Sequence, residues 1–467
     1  MQVVHRDITH IQTIYFLGIG GIGMSALARY FVAQGVHVAG YDRTPSPLTR
    51  AMEQEGIAIR YDDDTQAVEQ LSPDTTVVVR TPAVPADEPI YRYFREHSFT
   101  ILKRAEALGL VTRSMRALCV AGTHGKTTTS TMLAHILHGS HVGASAFLGG
   151  ISNNYHSNLL IDKKSDYVVV EADEYDRSFH HLSPCMSVIT SIDPDHLDIY
   201  GTEEAYRESF VHYAALIQEA LVVKKSVLAA NPALADGAKH TYTYAVDEPA
   251  DFYADHIRVE DGQIVFDYHM GDTKLADIRI GVPVWVNIEN SVAAMAVARL
   301  AGATDAELRE GVESFRGVYR RFNIHVQTPD VAYIDDYAHH PTELNASIES
   351  VRRLFPARHL IGVFQPHLYT RTRDFADDFA RVLSRLDEVV LLPIYPAREQ
   401  PIEGVDSEML LRKITCSKAL VSKEQLPIFL AQRAKGCAAH RQPCAIITLG
   451  AGDIDRLVSP IAEALRQ

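Results

Sequence analysis

The chain has 467 residues, 46% hydrophobic and 22% charged, with a formal net charge of −14. That length exceeds what one core serves, so two or three domains are expected, and the negative balance excludes general attraction to nucleic acid or anionic membrane. Five scattered cysteines (Cys119, Cys185, Cys416, Cys437 and Cys444) lack C-x-x-C spacing and so suggest neither a zinc site nor a disulfide framework; with no signal pattern and no run of eighteen apolar residues, cytoplasm is the expected compartment.

The first element is the strand candidate "TIYFLGIG", which runs into Gly18, Gly20 and Gly23 of a G-x-G-x-x-G turn and then into the helical pattern "GMSALARYF". The next strand, "VHVAGYD", ends at Asp42, where a ribose-binding carboxylate belongs. Such a turn lets a diphosphate approach the backbone. NAD satisfies it, and so does a UDP-sugar.

"TTVVVRTPAV" is the third strand, and "RALCVAGTHG" opens a second glycine loop, "GTHGKTTTS". Its backbone N–H groups and the following helix N-terminus suit phosphate oxygens. Within Gly122, Thr123, His124, Gly125, Lys126, Thr127 and Thr128, Lys126 is expected to reach terminal phosphates and Thr127 to ligate Mg²⁺. Val120 stands where the full Walker pattern begins with glycine, so this is a shortened form. "YVVVEADE" sets Glu171 at a strand end, and "MSVITSIDPDH" leads to His196, both candidate magnesium partners.

An alternating stretch, "DFYADHIRVEDGQIVFDYHMGDTKLADIRIGVPV", turns at Asp-Gly and Gly-Asp and reads as an antiparallel insertion. "VAYIDDYAHH", "HLIGVFQPH", "EVVLLPIYP" and "CAIITLGAGD" supply strands in the last third. Continuous apolar strands alternating with helices predict parallel α/β architecture. Breaks near "GLVTRSMRAL" and "GVYRRFNIH" divide it into three domains.

In order along the chain, "GIGGIGMSALA", "KRAEAL", "GTHGKTTT", "EADEYDRSF", "DPDHLDIYG", "GVYRRF", "DDYAHHPTE", "FQPHLYTRTRDF" and "GAGDI" resemble the Mur ligase family of ATP-dependent amide-forming enzymes in peptidoglycan precursor synthesis. The resemblance implies a Rossmann-like domain for a UDP-sugar (1–113), a central P-loop-type ATPase domain (114–322) and a C-terminal Rossmann-like domain for an amino acid (323–467). It assigns Gly20, Gly21, Gly23, Asp42 and Arg104 to the UDP-sugar. ATP falls to Gly122–Thr128 with Asn290, Arg321 and Asp336, and Mg²⁺ to Thr127, Glu171 and His196. His339, His367 and Arg371 match the region where the amino acid meets the reacting carboxylate.

Three positions depart from the family pattern: Glu289 replaces a histidine, Leu368 an arginine, and "RTPAV" at Thr81-Pro82 a serine-containing turn. No lysine occurs from Leu197 through Val223, where other members carry a carbamylated one. This favours the member that joins L-alanine to the lactyl carboxylate of UDP-N-acetylmuramate through an acyl phosphate. In that chemistry Lys126 and Arg321 stabilise phosphoryl charge, while His339 or His367 either deprotonates the amine or hydrogen-bonds the substrate. A ligase acting on murein tripeptide, an NAD-dependent oxidoreductase and a non-catalytic nucleotide switch are the competing readings.

Overall fold

The computed structural model describes residues 11–260, 263–397 and 399–466. The first ten residues of the expected N-terminal domain and the expected Asp261-Gly262 turn lie outside these. Three sheets carry the α/β architecture. The first contains β1 (Thr13–Leu17), β2 (His37–Tyr41), β3 (Ala58–Arg60), β4 (Thr76–Arg80) and β5 (Thr100–Lys103) in the order β3-β2-β1-β4-β5. Every pairing in it is parallel. The order reverses about β1, so the turn at its carboxyl end lies at the switch point where open sheets bind ligands.

The second sheet holds β6 (Arg116–Ala121), β7 (Ser145–Ser152), β8 (Ser157–Leu160), β9 (Tyr167–Glu171), β10 (Pro184–Ile189), β11 (Ala220–Lys224), β12 (His240–Val246), β13 (Phe252–Glu260), β14 (Gln263–Met270) and β15 (Thr273–Arg279). Its order is β15-β14-β13-β12-β11-β10-β6-β9-β7-β8. Strand β6 sits between β9 and β10, and Ala117 through Ala121 are wholly buried, as a covered parallel strand requires. The expected insertion extends this same sheet, with β13, β14 and β15 side by side in chain order. Its first strand, β13, pairs in parallel with β12, and the two-residue Gly271-Asp272 link from β14 to β15 enforces an antiparallel turn.

The third sheet contains β16 (Asn323–Gln327), β17 (Val331–Asp336), β18 (His359–Phe364), β19 (Glu388–Leu391), β20 (Ser417–Leu420) and β21 (Cys444–Leu449), in the order β16-β17-β21-β18-β19-β20. Strand β16 is antiparallel to β17 and the other pairings are parallel.

Packing divides the chain into two units. One runs to Asp255 and adds Tyr268–Leu275 and Asn290–Ser314; the other comprises His256–Asp267, Ala276–Glu289 and Phe315–Gln467. The first unit holds the first sheet and most of the second, and the two share a core in which Phe16 and Leu27 cluster with Phe147, Val168 and Phe210. Asn158 fixes the join. Its buried amide donates to Ile22 O at 2.5 Å and Ser25 Oγ at 3.1 Å, both on the helix Ile22–Ala33.

Candidate active site

At the end of β1 the chain turns through Gly18, held at φ +82°. The N–H of Gly20 donates to Asp42 Oδ2 at 2.7 Å. A Cβ on Gly20 would stand 2.8 Å from that same oxygen, so the glycine and the carboxylate require each other. Gly21 caps the helix Ile22–Ala33 in extended conformation. Arg104, first residue of the helix Arg104–Ser114, lies over Gly23, where a Cβ would come within 3.0 Å of its guanidinium. Arg104 also pairs with Asp173 at 3.4 Å.

The second loop follows β6. Gly122 adopts φ +132° and Gly125 +80°, and the helix Lys126–His138 begins directly after. The segment beyond β10 braces the loop. Thr190 Oγ1 donates to His124 O, Ser191 Oγ accepts from the His124 N–H at 2.9 Å, and Thr123 Oγ1 donates to Asp193 O at 2.8 Å. Beneath it, Thr129 Oγ1 donates to the carboxamide oxygen of buried Asn290 at 3.1 Å. Asn290 thus supports the loop from below. Thr128 is half-buried on the helix's first turn.

Lys126 is fully engaged. Its ammonium donates to Gly122 O at 2.6 Å, Thr123 O at 3.2 Å and Glu174 Oε1 at 2.9 Å. Glu174 Oε2 lies 2.8 Å away, and Glu174 is only 2% exposed. Burial pushes the Glu174 carboxyl up to about 7 against the pull of Lys126. Burial works against the Lys126 charge too, but the carboxylates of Glu174 and Glu171 more than offset it, and the ammonium is held charged.

Among the magnesium candidates, Thr127 occupies the first turn of the loop helix and Glu171 ends β9. The Glu171 carboxyl fills the space left by Gly149, where a Cβ would overlap it at 2.0 Å. His196 caps the short helix Leu197–Tyr200 at φ +53°, its ring edge-on to Tyr175 at 5.1 Å. Residues 173–177 touch each of these parts in turn. Asp173 meets Arg104, Glu174 meets Lys126, Tyr175 meets His196, and Asp176 meets Lys103 at 3.1 Å. Arg177 lies over the Tyr200 ring at 4.7 Å. Asp176 and Arg177 both sit in the left-handed region, at φ +52° and +55°. Two such non-glycine residues store about 1–2 kcal/mol each.

In the second unit, the ends of β17 and β18 gather the remaining candidates. "DDYAHHPTE" is partly a helix start. Pro341 opens the helix Pro341–Leu354, and Glu343 accepts from the backbone N–H groups of His339 and His340 at 3.0 and 3.3 Å. Asp336 is buried and accepts a short hydrogen bond from Ser347 Oγ; burial lifts it to about 6, while Ser347 and Arg321 pull the other way. Arg321 lies 5.1 Å over the Tyr337 ring.

Burial holds the His339 pKa below its ordinary value, with Arg371 and Arg321 adding to that effect and Glu343 opposing it. His367 stacks on Tyr395 at 5.7 Å and faces the His339 ring at 6.2 Å. Its pKa falls to about 4 through burial, then through the charges of His339 and Arg371. Its buried Nδ1 has no hydrogen-bond partner among the described residues. Leu368, where the family pattern has arginine, takes φ +71° and donates its N–H to Tyr395 O at 3.0 Å.

Sequence reasoning passed over Glu174, the chief partner of Lys126, although it stands within "EADEYDRSF". It also missed the chain Lys423–Asp453–Gln365, in which Lys423 Nζ donates to Asp453 Oδ2 at 2.7 Å and Gln365 Nε2 donates to Asp453 Oδ1 at 2.8 Å.

With this geometry in hand, the chain is seen to belong to the Mur ligase family. Residues 13–116 match the model described as "Mur ligase family, catalytic domain", 120–298 the "Mur ligase middle domain" and 320–443 the "Mur ligase, glutamate ligase domain". The UDP-N-acetylmuramate–L-alanine ligase of Parabacteroides distasonis is 54% identical over 98% of this chain and 98% of its own. The crystal structure of the UDP-N-acetylmuramate–alanine ligase of Thermotoga maritima superposes with a TM-score of 0.78 at 26% identity, covering 97% of this chain and 99% of that one. A murein peptide ligase of Psychrobacter arcticus shares the fold, with a TM-score of 0.68 at 23% identity over 97% and 98% of the two chains.

Proposed function

We propose that this protein joins L-alanine to the lactyl carboxylate of UDP-N-acetylmuramate with consumption of ATP, in peptidoglycan precursor synthesis in the cytoplasm. The observation that carries this reading is the second loop. A lysine, two left-handed glycines and a helix N-terminus stand together in a chain 54% identical, over nearly its whole length, to a ligase of that name. No described helix is long and apolar enough to cross a membrane. Residues 1–113 would hold the UDP-sugar, 114–322 ATP, and 323–467 the amino acid.

In the first half-reaction the lactyl carboxylate oxygen attacks the γ-phosphorus and ADP departs. In the second the alanine amine attacks the acyl carbon, phosphate leaves with the electron pair of the broken C–O bond, and the amine proton passes to solvent or a nearby base. A bare carboxylate acylates poorly because oxide would have to leave; phosphate is the better leaving group. Lys126 balances the phosphoryl charge, and the N–H groups of the loop orient the phosphates.

Thr127 and Glu171 offer the hard oxygen donors that Mg²⁺ prefers, the Glu171 carboxyl being seated against Gly149 where no other residue type would leave it space, with His196 as the third candidate. Mg²⁺ supplies neutralisation of phosphate charge. With a pKa near 4, His367 suits hydrogen bonding to the amine through Nδ1 better than proton abstraction from an ammonium.

The test is phosphate release from ATP in the presence of UDP-N-acetylmuramate, with amino acids added in turn. Release dependent on L-alanine is expected. Release with a murein tripeptide and none with L-alanine would replace this reading with the tripeptide one.

A further inference from the structure

We propose that Glu174 is a positioning residue of the phosphate loop: its carboxylate holds the Lys126 ammonium in place of a nucleotide phosphate and gives it up when the nucleotide arrives. The inference rests on reading that loop as a nucleotide site. An ammonium has three N–H donors, and here Gly122 O, Thr123 O and Glu174 take all three. None remains for a phosphate. Of the three acceptors only Glu174 carries charge, so it is the partner that a more highly charged phosphate displaces.

The surroundings fix the Glu174 backbone and leave its side chain dependent on Lys126. Tyr200 Oη donates to Glu174 O at 2.5 Å. On either side, Asp173 and Asp176 are tied to Arg104 and Lys103. Lys126 is the one charged hydrogen-bond partner of the Glu174 carboxylate among the described residues. A carboxylate 2% exposed needs such a partner, and the lysine needs it equally until ligand comes. Without Glu174 the empty loop would enclose a cation short of its nearest counter-charge, and the nucleotide would meet no bonded competitor.

Glu174→Gln keeps size and one acceptor but removes the charge. With ADP and magnesium as the probe, titration calorimetry is expected to give about tenfold tighter binding than wild type. Melting without nucleotide should occur at a lower temperature than in wild type, and ADP should raise it by a larger interval, which a merely structural residue would not produce. Lys126→Ala should weaken ADP binding, and in that background Glu174→Gln should change it no further.

Unimpaired binding by Lys126→Ala would sink the nucleotide-site reading itself. Impaired binding there, with no tightening in Glu174→Gln, would sink the role given to Glu174 alone. If Glu174→Gln does not fold, the wild-type structure with ADP decides. Separation of Lys126 Nζ from the carboxylate beyond about 4 Å supports the proposal, and an intact pair overturns it.

Discussion

Gly122→Ala probes how tightly the second loop is determined. At φ +132° the residue occupies a region open essentially to glycine, and an alanine there carries a strain of about 1–3 kcal/mol. The new Cβ would also stand 2.1 Å from Thr190 Oγ1 and 2.9 and 3.0 Å from the backbone nitrogens of Ser191 and Thr190. The hydroxyl can rotate away only by giving up its bonds to Ala121 O and His124 O. The two nitrogens have less freedom, because the Thr190 N–H is bonded to Ala121 O at 3.0 Å and the Ser191 carbonyl to the Thr123 N–H at 3.2 Å. Strain and overlap together come to roughly 3 kcal/mol, a factor of about a hundred if the loop bears it all. Denaturant unfolding and an ADP titration, run side by side, divide that loss between stability and affinity. Wild-type midpoint and wild-type affinity together would refute the reasoning, because the backbone could not then have the conformation described.

Three further outcomes are expected. Burial holds His135 down to about 4 from an ordinary 6.5, with both ring nitrogens engaged by Tyr155 and Ser314. Below pH 6.5 the unfolded chain takes up a proton that the folded one refuses, so this contribution is complete above 6.5 and is lost as pH falls toward 4; His135→Gln should flatten melting temperature against pH in that window, and an unchanged slope would count against it. Arg320 is 6% exposed, pairs with buried Asp335 at 3.4 Å and donates to Gly450 O at 2.7 Å. Arg320→Met should destabilise by about 3–5 kcal/mol, and adding Asp335→Asn should recover part of it, which chemical denaturation of the single and double variants would measure. Gly436 lies within the helix Leu426–Ala439 with open space around its Cβ position, so Gly436→Ala should raise stability by about 0.5–1 kcal/mol in a melting assay.

What could be read from the sequence was what short stretches of chain determine. Strand, glycine turn and helix follow one another in "TIYFLGIGGIGMSALARYF" and "ALCVAGTHGKTTTS", and both turns lie beside the reversals of strand order that an open sheet makes into ligand sites. Long apolar strands such as β6 and β17 were legible because burial on both faces demands an unbroken hydrophobic run. Short edge strands were not: β20 reads "SKAL" and is largely exposed, and β3 is three residues long, so neither carries a pattern.

Tertiary structure alone decided which charges meet. Nothing local pairs Lys126 with Glu174, 48 residues on, or Arg104 with Asp173, 69 residues on. Nor does the repeated aspartate of "DDYAHH" say which of the two serves what. The pleat sends neighbouring side chains to opposite faces, so Asp335 meets Arg320 while Asp336 meets Ser347. Backbone conformation is chosen by residues a few places apart and so leaves its mark in sequence. A buried charge is balanced by whichever opposite charge the fold brings within about 3 Å, and that choice belongs to the packed chain.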